Sequence, residues 1–115
     1  MKFELSTAVS AVERNGDSVK VTAKNKKGEE VHFEGDYVLV SVGRRPYTDG
    51  LGLEKAGVEL DERGRVKTND HLQTNVSNIY AIGDVVKGAM LAHKAGEEGT
   101  LVAEILAGQK PHINY

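Results

Sequence analysis

The first third of the chain shows the apolar–polar alternation of an antiparallel β-meander. Segment 18–24, SVKVTAK, alternates with a period of two. Asn15-Gly16 before it predicts a two-residue hairpin turn, and segment 30–35 predicts a returning strand. We therefore expect a three-stranded sheet within residues 3–34 that is polar and solvated on one face. The residues expected to point inward are Val19, Val21, Ala23, Val31 and Phe33.

Two later segments are apolar almost without interruption. These are YVLVSV at 37–42, which ends at Gly43, and NIYAIG at 78–83, which ends at Gly83. Continuous apolar runs of this length favour strands that are covered on both faces. The chain has one substantial helix, which is too little cover for two such strands. We therefore infer that the chain is part of something larger or pairs with another chain.

Helical periodicity is confined to two places. A long helix is predicted from Leu91 to Ala107, because an apolar stripe that includes Leu101 and Ile105 repeats along it, with Glu97, Glu98 and Glu104 largely opposite. Gly96 and Gly99 each cost about 1 kcal/mol inside a helix, which suggests close backbone approach by a neighbour. A short helical turn closes at Gly57, and brief strands are expected near 58–60 and 66–68. The fold class is α/β.

Composition narrows the possible functions. The 115 residues suit one domain, and a net charge of −2 provides no basic surface for nucleic acid or an anionic membrane. The chain has no cysteine, so it forms no disulfide and performs no thiol chemistry itself. No segment predicts a membrane span or a signal peptide. We expect a cytoplasmic protein, or one of the mitochondrial matrix in a eukaryote, that binds neither nucleic acid nor membrane.

Asp84 is the first candidate for chemistry. An isolated Gly-Asp pair is more often a local turn in which the carboxylate accepts a backbone N–H. Here the pair follows an apolar strand and precedes a helix, which is where open α/β sheets bind ligands. An ionised carboxylate only accepts hydrogen bonds, so Asp84 suits the hydroxyl groups of a polyol better than a phosphate.

The predicted helix start is the second candidate. Met90, Leu91, Ala92 and His93 would present backbone N–H groups that lack intrahelical partners and carry partial positive charge. For the His93 imidazole we favour a surface or capping role, because no second ligand lies at metal spacing. No metal site is predicted. Arg44-Arg45 is interpreted as a solvated or ion-paired corner in preference to a phosphate site.

These motifs resemble those of the FAD-dependent pyridine nucleotide–disulfide oxidoreductases. Thr74-x6-Ala81-Ile82-Gly83-Asp84 is similar to the family's second flavin-binding motif, and segment 37–48 resembles the strand that closes its NAD domain. Segment 50–99 is most similar to the branch of the family that oxidises dihydrolipoamide, in which Met-Leu-Ala-His-Lys-Ala follows the Gly-Asp. The resemblance covers essentially all 115 residues.

The resemblance implies a partial FAD/NAD(P)-binding fold: the antiparallel meander, the buried strands of the nucleotide-binding sheets and one long carboxyl-terminal helix. Residues 1–43 would end the NAD-binding domain. Residues 44–115 would form the second FAD-binding segment, ending before the dimer-interface domain. Ala89 stands where the family usually has proline, which implies a looser turn before the helix.

The resemblance also implies roles for single residues. Gly83 and Asp84 would meet the FAD ribityl chain, with Asp84 as the hydrogen-bond acceptor. The helix start at 90–93 would lie against the flavin ring, where partial positive charge favours the reduced, anionic form. Val9 and Gly43 match positions that lie near NAD in the family. Glycine suits position 43 there, because a side chain would obstruct a bound nucleotide.

Other family motifs have no counterpart in this sequence. They are the amino-terminal FAD fingerprint, the redox-active cysteine pair, the NAD fingerprint and the carboxyl-terminal His-Glu domain. We therefore expect an internal piece of the enzyme that contributes FAD and NAD contacts, has no catalytic residue and is inactive alone. Its expected partners are the remainder of the parent flavoenzyme and, through it, a 2-oxo acid dehydrogenase complex.

A second hypothesis is a stand-alone, non-catalytic binding or assembly module derived from the flavin site. Such a module would retain FAD or form a stable oligomer. We expect the chain alone to bind FAD weakly or not at all, because the pyrophosphate-holding half of the site is elsewhere. The uncovered strands also predict a homo-oligomer or strand exchange between copies.

Overall fold

The computed structural model describes residues 1–112 of the chain. The fold consists of two compact units, one formed by residues 1–42 and the other beginning at Gly43. Each unit has its own secondary structure and its own contacts, and each is described separately below.

The first unit is the predicted meander. Strands β1 (Ala8–Asn15), β2 (Ser18–Lys24) and β3 (Glu30–Gly35) form an antiparallel sheet in the order β1-β2-β3. Asn15 pairs with Ser18, so the two-residue loop is Gly16-Asp17, one residue later than the sequence predicted. Gly16 has a φ of +62°, as glycine has when it is the first central residue of a type II′ hairpin turn.

The strand register confirms which residues share a face. Val21 pairs with Val12 on one side and Phe33 on the other, and Ala23 pairs likewise with Val9 and Val31. Directly opposite residues point to the same face of a sheet, so these side chains form one apolar surface. Its burial is less than predicted. Ala23 is 1 % exposed, whereas Phe33 is 40 % exposed.

Both predictions of a strand buried on two faces are wrong for this structure. Residues 37–42 form no strand, and Leu39 and Val40 are 90 % and 70 % exposed. Segment 78–83 is reduced to a single antiparallel bridge between Tyr80 and Gln73. A central strand needs hydrogen-bonding neighbours on both edges. Within residues 1–112, segment 78–83 has such a neighbour on one edge, residues 72–74, and segment 37–42 has none.

The second unit packs loops and two helices around a small core. Helix α1 (Leu53–Ala56) ends at Gly57, as predicted, and the strands expected near 58–60 and 66–68 are reduced to one bridge between Leu60 and Val66. A 3-10 turn spans Gly83–Val85, and helix α2 spans Ala92–Leu106. The buried core consists of Val58, Val66, Leu72, Val86 and Leu101.

Helix α2 confirms the predicted element to within one residue at each end, but not its predicted polar face. Glu98, expected opposite the apolar stripe, is completely buried, and Lys94 is 6 % exposed. The predicted close approach to Gly96 and Gly99 is not found, since a neighbour at 3.5 Å is at ordinary van der Waals distance. A Cβ at Gly99 would lie 3.5 Å from Ile82 Cδ1, whereas Gly96 has no such neighbour within 4 Å.

No helix in residues 1–112 combines the length and the apolar character needed to cross a bilayer.

Candidate functional site

The Gly83–Val85 turn carries Asp84, the main candidate residue. Gly83 has a φ of +78°, a backbone conformation that favours glycine, and the Val86 N–H closes the turn on the Gly83 carbonyl at 3.2 Å. A Cβ at Gly83 would lie 3.5 Å from the Ala95 Cβ, so the turn packs directly on α2. This contact holds the turn that carries Asp84 against helix α2.

Asp84 presents its carboxylate to solvent. Its side chain is 50 % exposed, and in the described part of the chain it forms an ion pair with Arg44 at 3.9 Å and no hydrogen bond. The alternative of a local turn, in which the carboxylate accepts a neighbouring backbone N–H, is therefore not found. The same contact agrees with the ion-paired interpretation of Arg44. An exposed pair at this distance contributes at most about 1 kcal/mol, so Asp84 can exchange it for another partner.

The start of α2 has no side-chain cap. Its N-cap residue is Leu91, with extended φ and ψ of −128° and 136°, and Leu91 cannot accept a hydrogen bond through its side chain. Leu91 is 48 % exposed, Ala92 and His93 are exposed, and Met90 is half-buried. The first N–H groups of the helix therefore keep their partial positive charge close to the surface.

Two residues that the sequence analysis did not select link the turn to the helix. Glu98 accepts the Gly83 N–H through Oε2 at 2.7 Å, and its Oε1 lies 2.5 Å from Lys94 Nζ. The signal that could have identified them is their spacing. Lys94 and Glu98 are four residues apart in a predicted helix, which places them on one face.

A cavity of about 980 Å³ lies beside the same helix start and opens to solvent. Leu91, His93 and Lys94 contribute to its wall, together with His71 and Leu72 from the preceding loops. Asp84 is not part of this wall. The cavity therefore adjoins the uncapped amides but does not include the carboxylate.

The two residues predicted to lie near NAD are in different units. Val9 lies on β1, next to an irregularity in the strand register between Val9 and Ala11, and is 57 % exposed. Gly43 begins the second unit with a φ of +112°, and no atom lies within 4 Å of the place where a Cβ would be. Backbone conformation is enough to favour glycine at position 43, and the NAD contact stays a prediction.

Within residues 1–112, no three His, Asp or Glu side chains come together in a group that could hold a metal ion.

The sequence is similar to a known protein family and to individual members of it. A family model described as pyridine nucleotide-disulphide oxidoreductase matches residues 1–99. The chain is 52 % identical to the mitochondrial dihydrolipoyl dehydrogenase of Pisum sativum and 49 % identical to the dihydrolipoyl dehydrogenase of Bacillus subtilis, in each case along its whole length. It covers 23 % and 24 % of those two proteins, so it spans about a quarter of their length.

A solved structure has a similar backbone. LpdA from Mycobacterium tuberculosis superposes with a TM-score of 0.79 at 30 % identity, covering 94 % of this chain and 23 % of LpdA. The predicted α/β class agrees with this likeness and with the antiparallel sheet and helix of the structure.

Proposed function

Because the chain belongs to the pyridine nucleotide-disulphide oxidoreductase family, we propose that it is an internal segment of a dihydrolipoyl dehydrogenase and supplies part of the FAD site. The observation that carries the proposal is the position of Asp84. Its carboxylate is half exposed on a turn that packs against a helix whose amino terminus has no side-chain cap.

The residues present suit two parts of FAD, its ribityl chain and its flavin ring. Asp84 would accept hydrogen bonds from the ribityl hydroxyl groups, for which it would exchange its weak contact with Arg44. The Ile82 and Leu91 side chains are 39 % and 48 % exposed and could contact an apolar ring surface. These two requirements, acceptor and apolar contact, match the two parts of a flavin attached to a sugar alcohol.

The helix start has a separate role. Backbone N–H groups of Met90, Leu91, Ala92 and His93 would point their partial positive charge at the electron-rich edge of the ring, as oriented amides do at other anion sites. FAD, when bound, would supply the electron transfer between a dithiol and NAD. The chain's own residues would bind and orient FAD and exclude water from its surface.

We also propose where the chain lies in the parent dihydrolipoyl dehydrogenase and what that enzyme does. Residues 1–43 would end its NAD-binding domain, with Val9 and Gly43 near NAD, and residues 44–115 would form its second FAD segment. The parent would oxidise the dihydrolipoamide arm of a 2-oxo acid dehydrogenase complex, in the cytoplasm or in the mitochondrial matrix of a eukaryote. The 115 residues contain no cysteine, so we expect the chain alone to be inactive.

A graft tests this proposal. The matching segment of the Bacillus subtilis relative, which is 49 % identical, would be replaced by these 115 residues. We expect the grafted enzyme to purify with bound flavin and to reduce NAD with dihydrolipoamide. The measurements are visible flavin absorbance per polypeptide and the rate of NADH formation.

Two controls define the outcome. The unaltered relative shows full flavin content, and a graft in which segment 83–93 is replaced by glycine and serine residues should lose flavin. A graft that melts cooperatively but purifies colourless and inactive would contradict the proposal. Retention of FAD by the isolated chain without any activity in the graft would instead favour the stand-alone binding module.

A further inference from the structure

Helix α2 buries two opposite charges in the interior of a small unit. Lys94 is 6 % exposed and Glu98 is 0 % exposed, and Glu98 is the largest side chain that is completely buried in the described residues. Removing charges from water costs free energy, and an apolar pair of similar volume is often as stable or more stable. The pair therefore calls for an explanation other than stability.

The contacts of Glu98 indicate what the pair does. Its carboxylate bridges two elements: Oε2 accepts the Gly83 N–H at 2.7 Å, while Oε1 faces Lys94 Nζ at 2.5 Å on its own helix. Gly83 is the residue directly before Asp84. The hydrogen bond therefore fixes the backbone on which the Asp84 carboxylate is carried, relative to the helix whose first turn contains residues 92 and 93.

Lys94 neutralises this buried carboxylate. The pair is held by charge and not by a well-aligned hydrogen bond, since Nζ has no acceptor in hydrogen-bonding geometry within residues 1–112. Its stem lies over Gly88, where a Cβ would be 2.6 Å from Lys94 Cε. A chain of contacts therefore begins at Gly88 in the loop after the turn. It passes through Lys94 and Glu98 on α2 and ends at the Gly83 N–H.

We propose that Glu98 is a positioning residue for the flavin site, and that Lys94 supplies the charge that lets Glu98 be buried there. Glu98 holds the Gly83-Asp84 turn in register with the start of α2, so that the carboxylate and the helix amides address one bound molecule. This inference rests on the proposed function of the site. It adds two residues that contact no cofactor themselves.

A matched pair of double variants separates the hydrogen bond from the charges. In the grafted enzyme, Lys94→Met with Glu98→Gln removes both charges but keeps an oxygen that can accept the Gly83 N–H. Lys94→Met with Glu98→Leu removes the charges and the acceptor together. Side-chain volumes stay similar in both, and both avoid leaving a lone buried charge, which would endanger folding.

Two readouts are needed. Amide hydrogen exchange, measured by mass spectrometry on peptides that cover residues 80–86, reports the Gly83 hydrogen bond, with peptides from 18–24 as an internal reference. Visible circular dichroism of bound flavin and its dissociation constant report the geometry of the site. We expect the Gln variant to resemble the unmodified graft. The Leu variant should lose protection at 80–86 and bind FAD about ten-fold more weakly, the effect of one buried hydrogen bond.

The outcomes are distinct. Equal exchange at 80–86 in both double variants, or equal FAD affinity and flavin spectra despite a difference in exchange, would overturn the positioning role. An unmodified graft without flavin would overturn the proposed function itself, and the inference with it. With flavin bound in the unmodified graft, loss of flavin in the Leu variant but not in the Gln variant supports the positioning role, and equal loss in both overturns it.

Discussion

At the scale of single residues, the sequence indicated the exposure of Asp84 but not the burial of Glu98. Asp84 lies half exposed next to an uncapped helix start, as its position after an apolar run suggested. The helical pattern predicts that Glu98 lies opposite the apolar stripe, yet its side chain is fully buried. Its partner, the Gly83 N–H, is distant in sequence, and helical periodicity holds no information about such a contact.

Asp61 gives a pH-dependent prediction at this scale. Burial alone would raise the pKa of Asp61, but hydrogen bonds from the Arg65 backbone and side chain and from the Arg63 N–H, together with the Arg65 charge, hold it below the ordinary value. The folded state therefore favours the carboxylate. Its stabilising contribution is complete above the unfolded pKa of about 3.9 and is lost as pH falls through the folded pKa.

We therefore expect Asp61→Asn to lower the melting temperature at neutral pH, and the difference from the unmodified chain to shrink as the solution is acidified below the unfolded pKa. Thermal unfolding followed by circular dichroism over that pH range is the measurement. The exposed carboxylate Asp49 provides the control, since Asp49→Asn should change little. A difference between the Asp61 variant and the unmodified chain that is the same at every pH would refute this prediction.

At the scale of elements, the sequence predicted correctly those turns and helix ends that depend on interactions between neighbouring residues. The hairpin, the end of α1 at Gly57 and the limits of α2 all depend on neighbouring residues, and each was found within one residue. The strands at 37–42 and 78–83 were not found, because an apolar run indicates that cover is needed without providing it. The chain between α1 and α2 is held by scattered backbone hydrogen bonds, such as that from the Val66 N–H to the Val85 carbonyl at 2.7 Å, and by side chains, of which Asn75 is the clearest example.

Asn75 ties its own loop to the segment directly after α1. Its Nδ2 donates to the Gly57 carbonyl at 2.7 Å, and its Oδ1 accepts the Glu59 N–H at 2.9 Å. Asn75→Ala removes both bonds. We expect a loss of about 1–3 kcal/mol in the free energy of unfolding, measured by urea titration. Asn78→Ala, at an exposed position, is the control, and equal stability of the two variants would show that the bridge contributes nothing.

At the scale of the whole molecule, the apolar surface exceeds what the described residues cover. The apolar face of the β1-β2-β3 sheet includes Phe33, and segment 37–42 exposes Tyr37, Leu39, Val40 and Val42 by 70 % or more. Unpaired apolar segments of this kind offer hydrogen-bonding groups and apolar side chains to another chain. This agrees with the sequence-based inference that the chain is part of a larger structure or pairs with another chain.

We expect the isolated chain to associate with itself through segment 37–42. Sedimentation velocity at increasing protein concentration should show oligomers, and Leu39→Lys with Val40→Lys should shift the population toward monomer, because charges on an edge oppose strand pairing. Replacing the exposed Lys26 and Lys27 by Ser is a control that should leave association unchanged. An unmodified chain that stays monomeric throughout would be inconsistent with this interpretation.

The central claim is that the Asp84 carboxylate holds a flavin through its sugar-alcohol chain, and one titration tests it directly. Grafted enzyme freed of flavin would be titrated with FAD, with Asp84 intact and as Asp84→Asn, and flavin fluorescence would give the two dissociation constants. Because a bond to a charged acceptor contributes about 1.5–3 kcal/mol, we predict affinity roughly ten- to a hundred-fold weaker in the variant, with an unchanged melting temperature for the flavin-free protein. Equal affinities would contradict the account.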